Sequence, residues 1–270
     1  MIYQKLSENR TGGYDSDFAP YSSGGQWRQY AVVQCQNSPL AMYGSDMALG
    51  ILEEYRDKAL KAAMDASKML KDPQNPEVWE RYMIAIEVYK SLGRDHLFLG
   101  DMWLQASWTA RDAAIGYYAG LSGPMIARQV LDAGWEELKK PLSDKDRKNV
   151  LYNLARVAHR GGYSTERDGY LVTFETLGLD EREKTALARF RDIAHNIEPA
   201  LQANVIAEYQ QALQGTLTPE EQDRIKYTLA DIYRRNNDKE KAIAAYQEIF
   251  KSDASDELRG LSQFFLEQLT

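Results

Sequence analysis

Helix start and stop signals recur from Ser45 to the C-terminal end, and they constrain the fold more than any other feature. The first helix is predicted to run from Ser45 to about Lys71. Thr218-Pro-Glu-Glu221 combines an N-cap residue, a proline at the first helical position and a glutamate at the third, as in a capping box. Gly93 and Gly161-Gly162 have the residue type that ends helices in a left-handed conformation. The signals predict about eleven helices of ~12–25 residues, with consecutive helices antiparallel, and therefore an all-α fold.

Residues 1–45 differ in composition from the rest of the chain. They are rich in glycine, proline and aromatic residues, which favour turns over helices. The run from Trp27 to Cys35 is the best strand candidate, because it contains β-branched and aromatic residues. We therefore predict an irregular aromatic arm over 1–45, with one short hairpin, and a helical repeat domain over 46–270. The arm either caps the first helices or serves as a second docking element.

Composition and charge exclude several classes of protein. The chain has 270 residues, of which 44% are hydrophobic, enough for a buried core and too many for a disordered chain. The net charge of -7 argues against broad nucleic-acid binding. The uncharged run over 113–127 is shorter than the ~20 residues that span a bilayer, so it predicts a buried helix. We see no signal peptide and only one cysteine, Cys35, so we expect a cytoplasmic protein without disulfides.

Residue patterns typical of catalysis are missing from the sequence. It contains no phosphate-binding loop, dinucleotide fingerprint, zinc-protease motif or nucleophile elbow. His96, His159 and His195 are scattered, and Cys35 has no neighbouring histidine, so these residues favour structural roles. The five tryptophans are best explained by core packing. We therefore expect no enzyme, no catalytic residues and no cofactor, and an enzyme is only the third alternative.

Small and large apolar residues recur over 223–256 at spacings that let two helices interlock. They are Leu229, Ala230, Tyr233, Ala242 and Tyr246. Asn237-Asp238 stands at the turn between the helices, where asparagine tolerates a left-handed conformation. With these residues the segment resembles a tetratricopeptide repeat, a helix–turn–helix unit of 34 residues. The resemblance implies antiparallel hairpins stacked as a solenoid. Ala254 departs from the family pattern, which usually has proline there.

A second, weaker copy of the pattern begins at Lys148. It is carried by Leu154, Ala155, Ala158 and Gly162. Its second helix departs from the family, because Arg167 stands where a small residue is usual. An ordinary amphipathic hairpin explains this copy equally well.

The resemblance to tetratricopeptide proteins also implies a binding surface, formed by the first helix of each repeat. Its residues would be Tyr152, Arg156, His159 and Arg160 in the weaker copy and Arg224, Tyr227, Asp231, Arg234 and Arg235 in the C-terminal copy. Arg156 and Arg160 repel each other by about 0.2–0.5 kcal/mol. Binding of a carboxylate would explain why the two arginines lie together. A solvated charged face is the other interpretation. We expect a scaffold that binds another protein or peptide, through an acidic or C-terminal segment.

A second resemblance concerns Tyr30 to Ala41, followed by Ser45-Asp-Met47 and long helices. This region is similar to a bacterial family of unknown function, in which a zinc ribbon precedes tetratricopeptide-like helices. That family has Cys-x-x-Cys in its ribbon, whereas this chain has Cys35-x-x-Ser38 and no other cysteine. Structural zinc needs four nitrogen or sulfur ligands, so we expect no metal. The alternative function is thus a regulatory or sensory relative that has lost its metal. A strand with a chance cysteine is the other interpretation.

Overall fold

A computed structural model describes residues 11–22, 27–116 and 123–270, and this part of the chain is mostly helical, as predicted. It divides into two compact units. Unit 1 holds residues 27–113 and 197–216, and unit 2 holds 11–22, 114–116, 123–196 and 217–270. The predicted arm therefore contributes to both units. None of the described helices is both long and apolar enough to cross a membrane.

The elements follow one another along the chain as short strands and then helices. They are β1 (Thr11–Tyr14), β2 (Pro20–Ser22), α1 (Arg28–Ala31), β3 (Val32–Gln34), β4 (Ala41–Tyr43), α2 (Gly44–Leu49), α3 (Glu53–Ser67), α4 (Val78–Ser91), α5 (His96–Ile115), α6 (Pro124–Leu138), α7 (Asp144–Gly161), α8 (Ser164–Glu175), α9 (Glu181–Asp192), a π turn (Ile193–Ile197), α10 (Glu198–Ala212), α11 (Pro219–Arg235), α12 (Lys239–Lys251) and α13 (Asp256–Leu269). The strands form two antiparallel hairpins, β1–β2 and β3–β4.

Most of the predicted helix ends are confirmed, because local side chains satisfy the backbone there. The Ser143 side chain accepts a hydrogen bond from the Asp146 N–H at the start of α7. Thr218 and Glu221 form the predicted capping box of α11. Gly93 and Gly162 follow α4 and α7 with φ values of 80° and 75°, in the left-handed region that glycine adopts at low cost.

Two predictions near the arm are wrong in detail. The helix expected from Ser45 to about Lys71 is broken between α2 and α3, where Gly50 has a φ of 80°. The run from Trp27 to Cys35 is a strand only over β3, because its first half forms the helical turn α1. Tertiary contacts of Arg28 outweigh strand propensity in that half.

Buried ion pairs tie together the helices of unit 1. Arg28 is fully buried and donates from Nε and Nη2 to the two carboxylate oxygens of Asp112, at 2.7 and 2.8 Å. Its backbone carbonyl accepts a hydrogen bond from the Tyr82 hydroxyl at 2.8 Å. Arg111, next along α5, donates to Glu198 at the start of α10 at 2.7 Å. Arg111 and Asp112, which are adjacent in α5, therefore hold α10 and α1 in place through buried ion pairs.

Unit 2 is built from helical hairpins that pack around small residues. Helices α7 and α8 form one hairpin, and α11, α12 and α13 pack consecutively. Ala230 and Ala242 are fully buried between α11 and α12, beside the rings of Tyr227 and Tyr246. Asn237 adopts the left-handed conformation expected of the α11–α12 turn, with a φ of 58°. These features agree with the predicted hairpin, and its assignment to a tetratricopeptide solenoid stays a prediction.

Substitution of Gly100 by alanine is expected to lower the free energy of unfolding by about 1–3 kcal/mol, because the site has no room. A Cβ at Gly100 would lie 2.4 Å from Cδ1 of Tyr209. That ring is fully buried, and its hydroxyl donates to Asp101 at 2.5 Å, so it cannot move aside cheaply. Urea unfolding of the full chain measures the effect.

Gly260 provides the matched control, because it is also the fifth residue of its helix. A Cβ there would meet no atom within 4 Å. Gly260→Ala should therefore stabilise the protein by up to ~1 kcal/mol through helix propensity alone. Equal effects of the two substitutions would contradict the close approach of α5 and α10.

Candidate functional site

The nine residues predicted to bind a partner lie on α7 and α11, both within unit 2. Five of them meet around the C-terminal end of α7. These five are Arg160, Tyr227, Asp231, Arg234 and Arg235. All five side chains are almost completely buried, at most 7% exposed. The open, solvated face that the sequence suggested is therefore absent at these described positions.

The other four predicted residues have different neighbours. They are Tyr152, Arg156, His159 and Arg224. Tyr152 and His159 both pack on Phe190, with ring centroids 6.0 and 5.2 Å away. Arg156 donates to the backbone carbonyl of Ile115, and Arg224 is half-buried in the first half of α11. His159 also reaches the five, because its backbone carbonyl accepts a hydrogen bond from Arg235.

Asp231 is the centre of the cluster. Its Oδ1 accepts hydrogen bonds from Nε and Nη2 of Arg234 at 3.0 and 2.7 Å, and its Oδ2 accepts from Nε of Arg235 at 2.6 Å. The Tyr246 hydroxyl donates to Oδ1 at 3.0 Å. Burial raises the pKa of the Asp231 carboxyl, but the charges of Arg234 and Arg235 outweigh it and bring the pKa below its usual value. The carboxylate is therefore charged and paired inside the protein.

The same two arginines also complete the C-terminal end of α7, whose last carbonyls have no partner inside the helix. Arg234 donates to the carbonyls of Gly162 and Gly161 at 2.9 and 3.0 Å. Arg235 donates to the carbonyl of Arg160 at 3.1 Å. Guanidinium groups carry enough donors to bind several carbonyls at once. Arg234 and Arg235 thus join α11 to α7, a structural role that the sequence pattern did not reveal.

A segment from the N-terminal arm covers this cluster. We name Asp15–Ala19, the turn between β1 and β2, the resident segment. Asp15 accepts a hydrogen bond from Arg160 Nε at 2.9 Å, and Asp17 lies 3.6 Å from Arg235 Nη2. Asp15, Ser16 and Asp17 are all buried. Acidic and basic residues that are 145 and 218 positions apart therefore neutralise one another.

Ser16 lies between the two arginines and the central carboxylate. Its hydroxyl donates to Asp231 Oδ2 at 2.9 Å and accepts from Arg234 and Arg235 at 3.0 and 2.7 Å. One donated and two accepted bonds use the whole capacity of a hydroxyl group. The local sequence around Asp15-Ser-Asp17 gives no sign of these distant partners, so the sequence analysis missed them.

Phe18, the fourth residue of the resident segment, has a strained backbone conformation. Its φ of 62° lies in the left-handed region, which costs a bulky residue about 1–2 kcal/mol. Its N–H bonds to the Asp15 carbonyl at 3.0 Å, and its ring lies 5.2 Å from that of Tyr227. Contact between the two rings offsets the backbone strain.

Tyr227 is itself incompletely satisfied. Its hydroxyl is buried, and nothing in the described ranges hydrogen-bonds to it. Burial, together with the nearby negative charge of Asp231, raises the pKa of Tyr227 well above its usual value, so the hydroxyl remains protonated. A buried donor without an acceptor costs about 1–3 kcal/mol. The surface beneath the resident segment therefore has an unused donor beside the aromatic contact.

A separate groove lies between α6, α7 and α8, with a volume of about 670 Å³. Trp135, Leu151 and Tyr170 are among the residues that line it. Trp135 is 56% exposed, so the prediction of core packing is wrong for this tryptophan. It is confirmed for three others, which are buried. These are Trp79, Trp103 and Trp108.

The residues considered for metal binding or catalysis have different surroundings. Cys35 is exposed in the turn between β3 and β4, where the Ser38 hydroxyl accepts a hydrogen bond from the Leu40 N–H at 3.2 Å. His96 and His195 pair with Glu208 and Asp168 respectively, at other positions on the chain. Across ranges 11–22, 27–116 and 123–270, no three His, Cys, Asp or Glu side chains are grouped so that they could hold a metal ion.

Comparison of the chain with protein-family models, with curated proteins and with solved structures gives no match.

Proposed function

We propose that this chain is a protein–protein interaction scaffold that binds a partner segment on the surface between α7 and α11. One observation supports the proposal above all others. A short acidic peptide of the chain itself, the resident segment, lies on that surface with its carboxylates on Arg160 and Arg235. A surface that accepts such a peptide within one chain has the shape and charge to accept one from a partner.

The chemistry of the contact favours reversible binding over permanent core packing. Contacts that open and close are more polar than obligate ones, and apolar side chains of similar size often stabilise a buried site better than ion pairs do. Here three of the five side chains of the resident segment carry a charge or a hydroxyl group. Among the predicted residues, Arg160 and Arg235 are therefore the ones that we propose for recognition of the partner.

The alternative proposal is a regulatory relative of the ribbon-containing family without its metal. Ser38 stabilises the β3–β4 turn through its hydroxyl, so the hairpin closes without a second cysteine. This observation concerns unit 1 and is compatible with a scaffold.

Selection from a peptide display library tests the proposal. The target is the opened variant, full-length protein carrying Asp15→Asn, Asp17→Asn and Phe18→Ala, in which the two carboxylates and the aromatic ring of the resident segment are removed and the Ser16 hydroxyl is kept. We expect enrichment of a common segment that is lost when Arg160→Glu is added, because the carboxylate-binding guanidinium is then replaced by a like charge.

The matched control adds Arg191→Glu to the opened variant instead. Arg191 forms an exposed ion pair on α9, away from the cluster, so the enriched segment should still bind. Circular dichroism and thermal unfolding verify that all variants fold, and Phe18→Ala alone is the milder opened form. No enrichment, or the same enrichment with and without Arg160, contradicts the proposed function.

A further inference from the structure

We propose that the resident segment is an internal competitor that copies the motif of the partner. The motif is an acidic residue, a small hydroxyl residue, an acidic residue, an aromatic residue and a small residue. This inference rests on the proposed function and deepens it, because it names the class of partner: a protein that presents such an acidic–aromatic turn. Each motif position follows from a contact of Asp15–Ala19.

The two acidic positions are defined by arginines. Asp15 pairs with Arg160 at 2.9 Å, and Asp17 lies 3.6 Å from Arg235, both in buried surroundings. A neutral residue at the first position would remove the carboxylate that pairs with the buried Arg160 guanidinium.

The second position requires a small hydroxyl. Ser16 is 1% exposed and uses one donated and two accepted hydrogen bonds, so a larger side chain would collide and an apolar one would remove all three bonds. A site that hydrogen-bonds a hydroxyl discriminates strongly against ligands without that hydroxyl. This discrimination is stronger than that of an apolar pocket against a ligand of a different size. This position therefore supplies most of the discrimination.

The fourth and fifth positions of the motif pack the turn against the surface. Phe18 contacts Tyr227 at 5.2 Å, and Ala19 is 1% exposed, which leaves room for a small residue only. Ala19 also accepts a hydrogen bond at its carbonyl from the Asp15 N–H at 3.0 Å, so the turn closes on itself. A linear segment can therefore carry the complete motif within five residues.

Two features indicate that the resident segment fits less well than a true partner could. Phe18 holds a left-handed conformation that bulky residues rarely adopt, and the Tyr227 hydroxyl beside it has no acceptor in the described part of the chain. A partner that offers an acceptor there, or reaches Tyr227 without the strained backbone, would bind more tightly. The resident segment offsets its poorer fit because it belongs to the same chain, so its binding is intramolecular and depends on an effective concentration.

Fluorescence anisotropy with a synthetic peptide tests the inference. The labelled peptide has the sequence of residues 11–22 and is titrated with full-length wild-type protein and with the opened variant. We expect the opened variant to bind the peptide about 10- to 100-fold more tightly than wild type, because wild type holds its own segment in the same place. Adding Arg160→Glu to the opened variant should abolish binding.

Peptide variants test each motif position. Ser16→Val and Phe18→Ala in the peptide should each weaken binding to the opened variant at least ~10-fold, because they remove a saturated hydroxyl or the ring contact. Tyr14→Ala is the matched control and should bind like the parent peptide, since Tyr14 is about half exposed.

Any one of three binding results would overturn the inference. These results are that the folded opened variant fails to bind the peptide, that wild type and the opened variant bind it equally, or that the Ser16→Val peptide binds as well as the parent. A concentration-dependent dimer of wild type whose dissociation exposes the surface would also overturn it, because the segment would then be exchanged between two copies. Failure here is distinct from failure of the proposed function, since display selection could still enrich a segment of a different class.

Discussion

Asp231→Ala is expected to lower the free energy of unfolding of unit 2 by about 3–5 kcal/mol, a large share of the 5–15 kcal/mol typical of a folded domain. The carboxylate is fully buried and pairs with Arg234 and Arg235. Without it, two guanidinium groups remain close together in a site closed to water. The Tyr246 hydroxyl also loses its acceptor. Guanidinium unfolding followed by circular dichroism measures the shift.

Asp253→Ala is the matched control for this prediction. Asp253 is exposed between α12 and α13, so its removal should change stability by less than ~0.5 kcal/mol. Ser16→Ala adds a second comparison, because it removes a group of the resident segment while the Asp231 pairs remain. The expected loss in the free energy of unfolding is smaller, about 1–2 kcal/mol. The difference between the two losses distinguishes the contribution of the cluster that joins α7 to α11 from that of the segment that covers it. A loss for Asp231→Ala no larger than for Asp253→Ala would contradict the buried pairing.

Asp112→Ala is expected to destabilise unit 1 by a similar amount, about 3–5 kcal/mol. Arg28 is fully buried against Asp112 and places its guanidinium 5.8 Å from the Trp108 ring. Removal of the carboxylate leaves that charge without its partner in a site closed to water. Tryptophan fluorescence during denaturant unfolding suits this measurement, because Trp108 reports on the site directly.

A double substitution distinguishes charge from packing at the same place. Arg28→Met with Asp112→Leu replaces the ion pair by apolar side chains and should recover most of the loss, since well-packed apolar residues often equal a buried pair. Asp57→Ala, on the exposed face of α3, is the control and should change stability by less than ~0.5 kcal/mol. If the double variant is as unstable as Asp112→Ala, the loss arises from packing and not from the unpaired charge.

The resident segment changes how the candidate surface should be studied. Charge-reversal of Arg234 or Arg235 would disrupt the junction of α7 and α11, because both arginines bind backbone carbonyls at the end of α7. Loss of partner binding in such variants would therefore report on folding. Arg160 is the better probe, since its guanidinium pairs with Asp15 of the resident segment.

Local sequence signals were sufficient for the helix ends and for the class of fold. Ser143, Thr218 and Gly162 act within a few residues of themselves, through capping hydrogen bonds and a left-handed φ, so their effect is visible in the sequence. The alanines between α11 and α12 were visible for the same reason, because helical periodicity places them on one face.

The burial of the candidate site was decided by the tertiary structure. Arg160, Arg234 and Arg235 have the spacing of an exposed charged face, and nothing in their local sequence says that Asp15, Ser16 and Asp17 cover them. That pairing joins residues about 145 to 219 positions apart. The physical reason is that helical periodicity determines which side chains share a face, whereas burial and charge neutralisation depend on which other segment packs against that face.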